Sequence, residues 1–65
     1  MWGLFTDLND GLRIGIDMDT VVGAAELSDG TANLVMVTNN KTITVNVKES
    51  FDEVMRAIAA NEGQI

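Results

Sequence analysis

Asp17 and Asp19 stand two residues apart in IGIDMDTVV (14–22), at the end of an apolar run, and paired carboxylates are the side chains of this chain best suited to chemistry. Two carboxylates at that spacing would give a divalent cation a fraction of the six to eight oxygens that calcium takes. The later Gly and bidentate Glu of a calcium loop do not follow, so no metal site is expected. Other reagents are missing by type: the 65 residues include no His, Cys, Tyr or Pro. That excludes imidazole general bases, thiol nucleophiles, disulfides and zinc sites of the usual ligands. Ser50 has no base and is better placed as a helix cap. Lys41, Lys48 and Arg56 do not gather with Arg13 into an anion pocket. Asn40-Lys41-Thr42 has the form of a glycosylation sequon but falls in a tight turn. Met18, Met36 and Met55 fall on expected core faces, where they act as filler. A non-enzyme without cofactor or catalytic residues is expected.

Four bases against ten acids leave a net charge of −6, with six of the acids and only Arg13 among the bases in residues 1–40. A phosphate-tracking surface needs clustered Lys and Arg, so direct nucleic-acid binding is not expected. No run approaches the length of a membrane span, and Met1–Phe5 lacks the basic start of a signal peptide. With no cysteine to oxidise, a cytoplasmic protein is expected. The IGIDMDTVV stretch also resembles the strand-end signature of haloacid-dehalogenase-type phosphotransferases. That resemblance implies Asp17 and Asp19 as nucleophile and magnesium ligands on a large parallel α/β scaffold with a distant Lys. A chain of 65 residues cannot hold that scaffold, so residues 17–20 are expected as a polar bend, a bulge or a single helical turn.

The elements that would position these groups follow from the turn signals. Asn9-Asp10-Gly11, Asp29-Gly30 and Asn39-Asn40 favour positive φ and lie between runs rich in Val, Ile, Leu and Thr. They divide the chain into expected strands at about 2–8, 12–18, 20–28, 31–38 and 41–48. The loops are too short for parallel crossovers, so the pattern is an antiparallel meander of four to five strands. A two-residue Asn39-Asn40 loop sets Leu34 by Val45 and Met36 by Ile43 on one face. A two-residue Asp29-Gly30 loop then puts Ala25 by Leu34 and Gly23 by Met36, and leaves Val22 by Val37 and Ala24 by Val35 on the other face. For the first hairpin, a three-residue loop ending on Gly11 sets Asp7 opposite Arg13 and Phe5 opposite Gly15, with Leu4 opposite Ile16.

At the C-terminus the period changes from strand to helix. Phe51, Val54, Met55, Ile58 and Ala59 make one stripe of a helix over about 51–61. Ser50 with Glu53 forms a capping box, and Gly63 is the expected stop. A helix this short needs a sheet to dock on, and the small Gly23 and Ala25 are expected to leave room for Phe51 and Ile58. The fold class is therefore α+β in one domain, residues 1–65, with the helix on one sheet face. The second face is either covered by the first hairpin, making a half-barrel, or is a surface for association. The residues expected to carry that association are Trp2, Phe5, Val22, Ala24, Val35 and Val37.

FTDLNDGLRIGI (5–16), DMDTVVGAAE (17–26) and NLVMVTNNKTITVNVKESFDEVMRAI (33–58) follow one another in an order that resembles the flagellar FlbD (SwrD) family and similar small bacterial and phage proteins. VKESFDEV (47–54) is the specific part of that likeness. TNN stands where the family has a Gly-containing turn, and the basic tail of many flagellar members is absent. The resemblance implies a small accessory protein that works through contacts. Two functions are thus expected as alternatives: a module that self-associates or binds a protein partner through an apolar sheet face, or an acidic inhibitor that imitates nucleic acid.

Overall fold

The structure, a computed structural model, describes residues 1–62. In chain order it holds β1 (Trp2–Thr6), β2 (Arg13–Asp17), a 3-10 turn (Met18–Thr20), β3 (Val21–Glu26), β4 (Thr31–Thr38), β5 (Lys41–Ser50) and α1 (Phe51–Glu62). The strands make a two-stranded sheet, β1–β2, and a three-stranded sheet, β3–β4–β5, that do not close into a barrel. All pairings are antiparallel, so the chain has the expected α+β architecture. The expected helix stop at Gly63 lies outside the described residues.

The β4–β5 hairpin pairs as its sequence dictates. Asn39 and Asn40 take φ of 50° and 64°, the twist of a two-residue hairpin turn. Thr38 meets Lys41, Met36 meets Ile43 and Leu34 meets Val45. Ala32 and Val47 continue that face, and Ala32, Leu34 and Val47 are fully buried beneath Val54 of α1 and Phe5, Ile16 and Met18. Helix and first hairpin therefore share one core. Two extra residues of β5, Lys48 and Glu49, interrupt the pairing before Thr31 meets Ser50. Ser50 then caps α1, its Oγ accepting from the Glu53 amide at 3.2 Å and donating to Glu53 Oε1 at 3.3 Å.

The other two hairpins each sit one residue away from the expected register, and in both the turn is the cause. Asp7 Oδ1 accepts from the amides of Asn9 (2.7 Å) and Asp10 (3.3 Å), and Asp10 Oδ1 accepts from Leu12 (2.9 Å). These bonds open a four-residue loop, Leu8–Gly11, closed by Asp7 and Leu12, with Gly11 at φ +74°. Leu8 leaves the hairpin, and its amide donates to the Asn46 carbonyl of β5. Phe5 now pairs with Ile14 and Thr6 with Arg13, so the expected Asp7–Arg13 pair does not form. Because side chains alternate, the slip turns Phe5 inward and Leu4 outward.

At the second turn Leu27 and Thr31 close a three-residue loop with Gly30 at φ +87°. Asp29 Oδ1 fixes it by accepting from the Thr31 amide, at 3.0 Å, and from the Thr31 hydroxyl. Ala24, not Ala25, thus pairs with Leu34 and packs against the core, while Gly23 meets Val35 on the far face. A bulge at Val22 then brings Val21 opposite Met36 and back to the core. On α1 the buried side runs through Phe51, Val54, Ala57 and Ile58, whereas Met55 and Ala59 of the expected stripe are exposed. Gly23 and Ala25 do not make room for it; Ala24 does.

Candidate interaction surface

The outward face of the β1–β2 hairpin carries an exposed apolar pair beside polar neighbours. Trp2, Leu4 and Thr6 share it with their partners Asp17, Gly15 and Arg13. Trp2 is 72% exposed and Leu4 65% exposed, side by side on one strand. Beside them Gly15 offers bare backbone, over which the Trp2 ring leans: a Cβ there would lie 3.8 Å from Trp2 Cε3. A large exposed aromatic next to an aliphatic residue is the composition of an interface anchor, since Trp combines much apolar area with few rotamers to freeze. The hairpin that presents them is held firmly. Beneath it lie Phe5 and Ile16, both buried, and its edge is tied to β5 by a bridge between Asp7 and Val47. Glu49 adds a carboxylate clamp, accepting from the Thr6 amide at 2.8 Å and the Thr6 hydroxyl at 3.0 Å.

Of the six residues expected at an interface, the structure brings only some to the surface. Trp2, Val22 and Val37 are exposed and Val35 is half-buried. Phe5 is in the core, and Ala24 packs against it; neither can meet a partner. The far face of the meander therefore consists of Gly23, Ala25, Val35, Val37, Thr42 and Thr44, with Asn33 donating to Asn46 Oδ1 at 2.7 Å. It carries no charge, but its apolar area is broken by threonines and asparagines. Leu4 and Gly15 are not legible as surface residues in the sequence, because the Asx turn at Asp7 that lengthens the loop and sets their direction has no marker in the strand pattern.

The polar bend expected at residues 17–20 is a single 3-10 turn, not a bulge, with Asp17 as its cap and Asp19 within it. Asp17 Oδ1 caps it by accepting from the Asp19 amide at 3.1 Å, and the Thr20 hydroxyl donates to the Asp17 carbonyl at 2.7 Å. Asp19 accepts from the Asn61 side-chain amide at 3.1 Å and faces the Met1 amino group at 4.0 Å. Among the described residues no three His, Cys, Asp or Glu side chains gather in a metal-binding group. The acidic excess has a local use: Asp7, Asp10, Asp17 and Asp29 each hold backbone amides of their own turns. Hydrogen bonding by the Thr31 hydroxyl and amide holds the Asp29 carboxyl below the ordinary aspartate value.

No helix among the described residues is long and apolar enough to cross a membrane. Comparison with protein-family models, with curated proteins and with solved structures finds no match for this chain.

Proposed function

We propose that the chain is a small, non-catalytic accessory protein that acts by contact, associating with itself through the outward face of the β1–β2 hairpin. The observation that carries this reading is the Trp2–Leu4 pair, exposed together over the Gly15 backbone on a rigidly backed hairpin. A chain this short buries about 60% of its unfolded surface, so association adds stability that its core supplies only sparingly. The likeness to FlbD-type proteins points the same way, toward work through contacts. Imitation of nucleic acid is the weaker reading, because most acids of residues 1–40 are engaged in making turns.

Light scattering on size-exclusion eluates tests the proposal. The Trp2→Ser, Leu4→Ser double variant is expected to lose self-association while keeping its far-UV spectrum. Val35→Glu on the far face is expected to keep it. Association that survives the double variant and fails in Val35→Glu would move the contact surface to the meander. Solution behaviour as a monomer throughout would refute the reading.

A further inference from the structure

We propose that the free edge of β2 pairs antiparallel with β2 of a second copy, about a twofold axis at Gly15. This specifies the contact within the self-association reading above and rests on it. Among the described residues β2 pairs with β1 alone. The Asp7 amide donates to the Leu12 carbonyl at 2.8 Å, and the Met18 amide donates to the Met1 carbonyl at 2.9 Å. In an antiparallel ladder successive residues point their polar groups to opposite sides. Hence the even-numbered residues of this stretch turn toward β1, Arg13 and Gly15 turn their amides and carbonyls outward, and Asp17 its amide, its carbonyl being taken by the 3-10 turn.

The strand reads Arg13-Ile14-Gly15-Ile16-Asp17, and its pattern is self-complementary. With Gly15 opposite Gly15 of the second copy, Arg13 lies opposite Asp17, Ile14 opposite Ile16, and the reverse on the other side. The outward amides of Gly15 and Asp17 then find outward carbonyls. The two Gly15 amides donate to Gly15 carbonyls and the two Asp17 amides to Arg13 carbonyls. The Asp17 carbonyls are taken by their own 3-10 turns and accept from the Thr20 hydroxyl, so the Arg13 amides at the ends of the joint stay with water.

Alternative registers fail on charge. A two-residue slip in either direction leaves charged residues opposite glycine. A four-residue slip sets Arg13 against Arg13 or Asp17 against Asp17. Among the described residues Arg13 has no ion-pair partner, the one ion pair being Met1–Asp19. The pairing supplies one, on the same outward face that carries Trp2 and Leu4. The Trp2 ring already leans over Gly15, the position of the axis. Beneath, Ile14 and Ile16 of the two copies continue the apolar layer. Of the edges of the three-stranded sheet, β3 is bulged at Val22, a feature that blunts edge pairing, and β5 is bridged to the first hairpin at Val47.

Sedimentation equilibrium with charge-reversed variants tests the proposal. Arg13→Asp sets two acids against each other at both ends of the joint, and Asp17→Arg sets two bases. Each alone is expected to raise the dimer dissociation constant about 10- to 100-fold. An equimolar mixture of the two restores both opposite-charge pairs and is expected to form the mixed dimer with wild-type affinity. Because Asp17 also caps its turn, far-UV spectra check that both variants fold, and a measurement on the unmodified chain stands beside them. Amide exchange at Gly15 and Asp17 is expected to slow as the wild-type concentration rises. Dimers whose Gly15 and Asp17 amides stay fast, or variants whose mixture gains nothing, overturn edge pairing. If such dimers are still lost in Trp2→Ser, Leu4→Ser, the contact reading survives without it. A monomer at every concentration overturns both.

Discussion

Gly3→Ala probes the packing of the first hairpin and its register in one substitution. Gly3 faces inward opposite Ile16, and an added Cβ would sit 2.8 Å from Phe5 Cε2 and 2.9 Å from Met18 Sδ. Nonbonded carbons settle at about 3.5–4.0 Å, so the methyl arrives roughly 1 Å too close. Phe5 is 5% exposed and Met18 3% exposed, so neither side chain has solvent to retreat into. Overpacking of this kind costs about 1–3 kcal/mol, offset by about 0.4–1 kcal/mol from the stiffer unfolded chain. A net loss of about 1–2 kcal/mol remains, which at a urea slope near 1 kcal/mol/M lowers the midpoint by about 1–2 M. Far-UV circular dichroism in urea reads this directly. Leu4→Ala serves as the companion with the chain diluted to monomer, where an exposed side chain away from the core changes stability by about 0.5 kcal/mol or less. The reverse order, a silent Gly3→Ala and a costly Leu4→Ala, would mean that Leu4 and not Phe5 faces the core and would refute the register.

Other perturbations follow from single contacts. Glu49→Ala strips the Thr6 amide and hydroxyl of their half-buried acceptor, an expected loss of about 1–3 kcal/mol in urea unfolding, with Glu49→Gln losing less. Ser50→Ala removes the cap of α1 and is expected to cost about 1 kcal/mol by the same assay. Asp29 has its carboxyl pKa lowered by Thr31, so its contribution to the turn is complete above the unfolded aspartate range and is lost as pH falls through the lowered value. Thr31→Val is expected to move the Asp29 titration, followed by carboxyl carbon NMR, back up toward the ordinary value.

The parts of the fold that were legible are those governed by period and by one local signal. The alternation of Ile43, Val45 and Val47 with threonines and Asn46, closed by Asn39-Asn40, leaves one register for β4–β5, and that register is found. Ser50 with Glu53 marks the start of α1 for the same reason. The first two hairpins were read with the right strands and the wrong partners. Each turn contains an aspartate whose carboxylate binds amides two residues on, and that side-chain bond adds a residue to the loop. One residue suffices to exchange Phe5 for Leu4, and Ala24 for Ala25, across the sheet. The site inherits the same displacement: Trp2 is among the residues expected at an interface, but its neighbours Leu4, Gly15 and Arg13 follow only from the observed register. The half-buried clamp of Glu49 on Thr6 joins residues 43 positions apart and has no signature in a local pattern.

Trp2 is the sole tryptophan of the chain, so its fluorescence reports directly on the surface proposed to work. On a dilution series the emission is expected to run from blue-shifted and shielded from iodide at high concentration to red-shifted and quenchable at low concentration. Emission typical of a water-exposed indole, equally quenchable at every concentration, would contradict association through the hairpin.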